Sequence, residues 1–449
     1  MMSPRFPVLF LSLFLCTGLF AKAPIPFAEE LFPELKELMT GAAMDSPGLR
    51  LLELRVEERA GDLDVAIAQN RPSARLNARL LGNYDVRDDI DNDFRGDLSA
   101  GVTINQPLYQ WGNLKRRVEV ARQRLELEGV EYENQGSRQF MQLREAYLNW
   151  ILMRERRRIT RQSIELSESF VAARRQLLEA GQSSEQDVLE MEARLLENRE
   201  SLAFAEKSIR NQEDTLSRLS GISIAQSGLK GAPLTLIEPM SSEEFAELQA
   251  SVRQSLGGVS DPLQSRWEIL EQIEDEQLAM LDKRNWPFVD LVAGAFTDQL
   301  DSINQQDSVT RVRFYAGLQV NWNIFDSWQT DGYKRSTLAR KRAYALRKEE
   351  ASDDFSRQVD SLLAEIQLNL KQIEARGKRE SLLDRRVTLL RQQAERNLIT
   401  GIDLIEGEIN YLNVQQWLME ARVQYLMNLM RLGVLLDMDP AAAYYTPQS

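Results

Sequence analysis

Histidine is absent from all 449 residues, and cysteine occurs once, at Cys16. Without histidine there is no His-based catalytic triad, no His-ligated metal site and no His-ligated haem. A single cysteine excludes a disulfide framework and a thiolate cluster. Beyond the N-terminus no apolar run approaches the roughly 18 residues that a membrane-spanning helix requires. Basic residues are outnumbered, with 55 Lys and Arg against 68 Asp and Glu, and the formal charge of −13 argues against a nucleic-acid partner. No phosphate loop or metal motif is present, and no spacing singles out a catalytic carboxylate pair. The expectation is a protein that is not an enzyme and carries no cofactor.

What is present begins with an address. Arg5 precedes an apolar stretch, Val8 to Phe20, which is the length of a signal-peptide core and too short to span. Ala21 and Ala23 offer cleavage sites, and Pro24 disfavours the second. Residues 1–21 therefore read as a secretory signal. Cys16 is a poor lipoprotein acceptor, because Leu15 stands where a small residue is needed.

The rest of the chain repeats itself. Ser46-Pro47 and Asp261-Pro262 open helical stretches 215 residues apart, each with a capping side chain before a proline at the first helical position. Those stretches end at Arg71-Pro72 and Trp286-Pro287, again 215 apart, and the hairpin signals Gly181 and Asn397 are 216 apart. No proline occurs between Leu108 and Ala232 or between Phe288 and Asp439. Long helices are thus permitted over Asn113–Ala180 and Asp331–Arg396, each reaching about 100 Å at 1.5 Å per residue. The return helices carry heptad stripes, one from Val188 through Ala205 to Leu219, the other from Ile405 through Val423 to Met430.

Between each opening helix and its hairpin, the pattern changes to period two. Ala74, Leu76, Ala78 and Leu80 alternate with polar residues, as do Leu98, Ala100, Val102 and Ile104, and Val312, Phe314, Ala316, Leu318 and Val320. Phe288–Thr297 is strand-like, with Asp290 expected to interrupt it. Polar loops are expected over Val86–Asn92 and Asp298–Thr310. Such segments are long enough to cross a bilayer when tilted. Tyr84, Phe94, Phe296, Phe314, Trp111, Trp322 and Trp328 near their ends suit an interfacial girdle. Four strands cannot close a barrel around water, and open edges are not tolerated in lipid, so membrane insertion would require several chains.

Duplicated strand–strand–helix–helix halves with Gln106-Pro107-Leu108-Tyr109-Gln110-Trp111-Gly112 and Asn323-Ile324-Phe325-Asp326-Ser327-Trp328 at their strand–helix junctions resemble the TolC-like outer-membrane factor family. The family's junction is usually of a Pro-Leu-Phe-Asp-x-Gly type, and Asn323 stands in place of the second proline. The resemblance implies an α+β membrane protein. Three chains would share a twelve-stranded β-barrel in the outer membrane of a Gram-negative cell, continued by a periplasmic coiled-coil tunnel. It implies residues 22–45 as an N-terminal segment, 46–221 and 261–437 as repeats, 222–260 as an equatorial connection and 438–449 as a tail. The implied function is a passive conduit serving a periplasmic adaptor and an inner-membrane pump or ABC exporter, in a tripartite efflux pump or type I secretion system. In that family an acidic pair at the positions of Asp403 and Glu406 rings the periplasmic aperture. The positions of its tyrosine–arginine lock hold Ala394 and Ile399 here.

The tips also read by local chemistry. Gly181 and Asn397 suit a left-handed helix end, and Ser184 and Thr400 can cap the following helix. Asp187 with Glu190, and Asp403 with Glu406, are three apart and share a helix face. They could line an aperture or simply complement the helix dipole. The dipole reading is preferred for Asp187 and Glu190, the aperture for Asp403 and Glu406. Gly181, Ser184, Asn397 and Thr400 are the candidate adaptor contacts. A secreted coiled-coil scaffold without a pore is the competing reading; it accounts for the helices but poorly for the amphipathic strands.

Overall fold

The computed structural model describes residues 25–84, 94–224, 228–229, 231–255, 262–301, 308–396, 398–399 and 401–445. The signal segment with Cys16, the loop Val86–Asn92, Asn397 and Thr400 lie outside them.

Every major element occurs twice. Helix α1 (Ala28–Leu31) and α2 (Pro33–Asp45) lead into α3 (Pro47–Ala68), strands β1 (Ser73–Tyr84) and β2 (Phe94–Tyr109), and helices α4 (Asn113–Glu179) and α5 (Glu185–Ser220). After a 3-10 turn at Leu234–Leu236 and α6 (Ser242–Ser255), the sequence of elements recurs. It comprises α7 (Pro262–Asp282), β3 (Phe288–Asp301), β4 (Ser308–Asn321), α8 (Gln329–Glu395) and α9 (Gly401–Leu435), with α10 (Ala442–Tyr445) at the end. Both α4 and α8 run 67 residues. These spans are free of proline and dense in Arg, Glu, Gln and Leu, which lose little rotamer freedom in a helix.

Contacts divide the chain into two compact units. One takes in the chain through Glu53, Tyr132–Asp261 and Asp353 onward. Its core joins Phe27, Phe32, Leu35 and Met39 of the N-terminal segment, Phe140, Tyr147 and Trp150 of α4, Phe245 and Leu248 of α6, and Leu363, Leu426 and Met430 of the second hairpin. Arg144 is fully buried in this core. It donates to Glu29 at 2.5 and 2.9 Å and to Asp439 at 2.6 and 3.1 Å, and stacks on the Phe27 ring at 4.7 Å. One guanidinium thereby ties both terminal segments to α4. A buried cation is tolerated because its carboxylate partners satisfy it bidentately.

The other unit comprises Leu54–Glu131 and Pro262–Ser352. Its helical part has only a small apolar core, Val120, Ile269 and Ile273. Surface ion pairs supplement it, Arg116–Glu276 at 2.7 Å and Lys341–Asp275 at 2.6 Å among them. The sheet is antiparallel in the order β1-β2-β3-β4, so the central pairing of β2 with β3 joins the two repeats. Alternation sorts its faces. Leu76, Leu80, Val102, Ile104, Ala293, Ala295, Phe314 and Leu318 share one face by register. Among the described residues nothing covers that face, and Leu76 and Phe314 are 71% and 78% exposed.

Two sequence expectations are corrected here. Asp290 does not interrupt β3: with Val292, Gly294 and Phe296 it lies on the face opposite Leu291 and Ala293, paired with Gln319. The polar stretch Asp298–Thr310 is strand at both ends, since β3 continues to Asp301 and β4 starts at Ser308, while residues 302–307 lie outside the described residues. Ladder pairing outweighs polar composition, Gln299 with Thr310 and Leu300 with Val309 being in register.

Candidate functional site

Two regions carry the candidate residues, the hairpin tips in the first unit and the strand–helix junctions in the second. At the first tip Gly181 has φ +72°, and the backbone closes α4 with Gln182 N–H to Leu177 O at 2.8 Å and Gly181 N–H to Leu178 O at 2.9 Å. That is the paired bond of a left-handed helix stop, and glycine adopts its backbone without a Cβ clash. The second tip repeats the longer bond, from Leu398 N–H to Gln393 O at 2.9 Å. Ser184 immediately precedes α5 and is exposed.

The two acidic pairs differ in their surroundings. Glu190, on α5, forms an ion pair with Arg194 at 2.6 Å, one turn on. Of Asp187 only its place on α5 is described. Asp403 and Glu406 are exposed on the first two turns of α9, and Asn410 stands where an arginine would neutralise Glu406. Among the described residues Glu406 forms no ion pair. An unneutralised carboxylate in the first turns of a helix is electrostatically favoured there, and it also leaves a negative charge open to solvent.

Sequence reasoning missed a bracket behind each tip. Arg175 donates twice to Glu192, at 3.1 and 2.6 Å, and Arg391 donates twice to Glu408, at 2.9 and 2.8 Å. The two pairs are 216 residues apart, so the same spacing that exposed the repeat held the signal. Farther along the hairpins, polar groups interrupt the apolar seams. Asn198 reaches Ser163 and Ser167 at 3.5 and 3.3 Å, and Asn428 donates to Asn369 at 3.0 Å. Asn369 and Asn428 are buried, and buried amides in a helical seam fix its register.

The junctions turn each strand into its long helix through two consecutive left-handed residues. These are Trp111 (φ +54°) and Gly112 (φ +84°) in the first half, Ser327 (φ +54°) and Trp328 (φ +66°) in the second. Pro107 lies inside β2 beside a register shift, the kind of position at which a strand tolerates a residue without an N–H. Asn323 lies just beyond β4, which ends at Asn321. Indole groups anchor both turns: Trp111 Nε1 donates to Pro287 O at 2.6 Å and Trp322 Nε1 to Asn285 O at 2.9 Å. Trp111 also meets Trp286 edge to face at 4.6 Å, with Lys283 over the Trp286 ring at 3.8 Å. Asp326 accepts from the Thr330 hydroxyl and from its N–H at 3.0 Å, which holds its carboxyl below the usual range. Aromatic rings with cationic neighbours at one end of an apolar-faced sheet have the composition of a membrane-interface belt.

Known proteins share both pattern and fold. Residues 39–222 match a family described as Outer membrane efflux protein. No curated protein sequence matches the chain. Among solved structures, the CmeC outer membrane channel of Campylobacter jejuni is 12% identical, covers 97% of this chain and 94% of its own, and has a TM-score of 0.71. The outer membrane protein VceC of Vibrio cholerae is 14% identical, with coverages of 91% and 97% and a TM-score of 0.66. The open-state MtrE outer membrane channel of Neisseria gonorrhoeae is 15% identical, with coverages of 90% and 89% and a TM-score of 0.65. The resemblance carried by the junction motifs is borne out: the fold over nearly the whole chain is that of outer-membrane channels.

Proposed function

For a chain with the outer membrane efflux pattern over residues 39–222 and the fold of outer-membrane channels throughout, we propose the role of channel component in a tripartite efflux pump or type I secretion system. Three identical chains form a passive conduit from periplasm to exterior, with the sheet in the outer membrane and the helices extending into the periplasm. The observation that carries this is the sheet itself. It is antiparallel and four-stranded, one face is apolar and uncovered, and both edges, β1 and β4, lack a partner strand within the described residues. Its shortest strand has 12 residues, above the roughly 9–11 that a tilted crossing needs. Unpaired edges in lipid would leave backbone groups unsatisfied at several kcal/mol each. Joining β4 of one copy to β1 of the next removes every edge. Three copies give twelve strands, and the implied barrel has a polar lumen and an apolar exterior.

Within this conduit Asp403 and Glu406 of three copies ring the periplasmic mouth. Six carboxylates at a constriction attract cations and repel one another, which eases opening. Asp187 and Glu190 are the weaker candidates, because Arg194 already neutralises Glu190. Gly181, Ser184, Asn397 and Thr400 present the tips to a periplasmic adaptor, which couples the conduit to an inner-membrane pump or ABC exporter. Bulky charged residues at Gly181 and Asn397 should block pump assembly; a folded trimer that still assembles and exports would remove the tips from the contact.

Purified protein in detergent should have the mass of three chains and give stepwise conductance in a planar bilayer. Exported protein that stays soluble without detergent and never conducts would instead be a coiled-coil scaffold.

A further inference from the structure

The polar face of the sheet is not neutral. Arg75 and Arg79 on β1 and Arg311 and Arg313 on β4 lie on it, and all four are exposed. The strand register aligns Arg75 with Thr103, Gly294 and Tyr315, and Arg313 with Phe296, Gly101 and Asn77. Arg313 therefore stands in the row between those of Arg75 and Arg79. Arg311 and Arg313, next-but-one on β4, are about 6.7 Å apart, within the Debye length of about 8 Å at physiological salt, whereas Arg75 and Arg79 are about 13 Å apart along β1. Arg75 and Arg79 form no ion pair with any described residue. Arg313 lies over the Phe296 ring at 5.1 Å, and Tyr315, 6.1 Å from Phe296, reaches the Thr103 hydroxyl at 3.1 Å.

The opposing acid is weak. Asp290 is buried at the far end of the face and accepts from Asn321. Arg311 has Asp298 opposite it in the register, which leaves Arg75, Arg79 and Arg313 on this face against Asp290. The excess is positive in a chain whose total charge is −13. The four described arginines sit on the two edge strands, so the proposed closure of β4 on β1 brings them to each seam between copies.

Resting on the conduit reading above, we propose that Arg75, Arg79 and Arg313 line the barrel lumen as an anion-binding zone, with Phe296 and Tyr315 supplying ring surface for an aromatic organic anion. Guanidinium groups pair with carboxylate and sulfonate oxygens through forked donors and stack on aromatic planes. The zone is opposite in sign to the mouth formed by Asp403 and Glu406. The conduit thus has two electrostatic sections, and cargo bearing negative charge is held at the exit section.

The test uses the full protein in a planar bilayer, with a pyrene trisulfonate dye added on the barrel side. The dye should block wild-type conductance, and R75Q/R79Q/R313Q should relieve the block and lower the chloride-to-potassium permeability ratio by about two-fold or more. R75K/R79K/R313K should keep the permeability ratio, which separates charge from misfolding. Wild-type steps with the dye inert and the ratio unchanged in the glutamine variant would overturn the anion zone alone. Absence of any steps in the wild type would overturn the conduit reading and the zone with it.

Discussion

The two halves of the chain are built alike and finished differently. Helices α4 and α8 have equal length, each hairpin closes with the same backbone bond, and each has an Arg–Glu bracket 17 residues across its tip. These shared features meet the mechanical needs of a long helical hairpin. The differences mark where the halves have separate work. Arg144 clamps the terminal segments, whereas its counterpart 216 residues on is the exposed Asp360. Gly112 makes the first junction and Trp328 the second, in the same left-handed conformation. Glu190 has Arg194 beside it, and Glu406 has Asn410. The duplication thus serves as an internal control that separates scaffold from function.

The sharpest way to break the comparison is at the clamp. Arg144→Met would strand Glu29 and Asp439, 8% and 4% exposed, without a counter-charge. It should cost about 3–5 kcal/mol. Asp360→Asn should be near neutral. Thermal unfolding of the two variants side by side gives the contrast, and equal midpoints would remove the clamp from the account.

The junctions should respond less. Gly112→Ala puts a Cβ on a φ of +84° and should cost about 1 kcal/mol. Trp328→Gly relieves comparable backbone strain but removes an exposed ring from the interfacial belt. Its stability in detergent should hold or rise while insertion into vesicles falls; unimpaired insertion would deny Trp328 an anchoring part.

A smaller effect tests the ends of the second half. Partial desolvation raises the carboxyl pKa of Asp437, with nearby Asp439 adding to it, and likewise raises Glu133, with Asp437 adding, although both side chains keep contact with solvent. An acid whose folded pKa lies above its unfolded value stabilises while protonated, and that contribution fades as pH rises through the folded pKa. Asp437 also holds φ +58°, which asparagine tolerates. Asp437→Asn should therefore stabilise at pH 7.5 by about 1 kcal/mol or less, with the gain shrinking towards pH 4.5. A gain independent of pH would assign it to the backbone alone. Smallest of all, Arg175→Ala and Arg391→Ala should each cost about 0.5 kcal/mol, and equally, since both brackets are partly exposed.

Much of this was legible in the sequence, because long helices and amphipathic strands are written in local periodicity. The 215- and 216-residue spacing located both hairpins, and the left-handed stop at Gly181 followed from residue type. The clamp was not legible. Glu29, Arg144 and Asp439 belong to no common period, and only packing brings them together. The length of the β3–β4 hairpin was hidden for a related reason, since Gln299 and Thr310 look like loop residues until each is seen to have a partner across the ladder. The alternation in β3 misled because Asp290 was read as a break, whereas it belongs to the polar face. Among the candidate residues, the tips were legible as turns, but the contrast between Glu190 and Glu406 needed the observed Glu190–Arg194 pair.

The central claim is that three copies make a conduit whose periplasmic constriction is the carboxylate ring of the second half. Single-channel conductance and ion selectivity of Asp403→Asn/Glu406→Gln, recorded beside Glu190→Gln, test it most directly. The account predicts stable steps in all three proteins, with cation preference reduced in the double variant and preserved in Glu190→Gln. Identical selectivity in the double variant and the wild type would contradict it and place the constriction elsewhere.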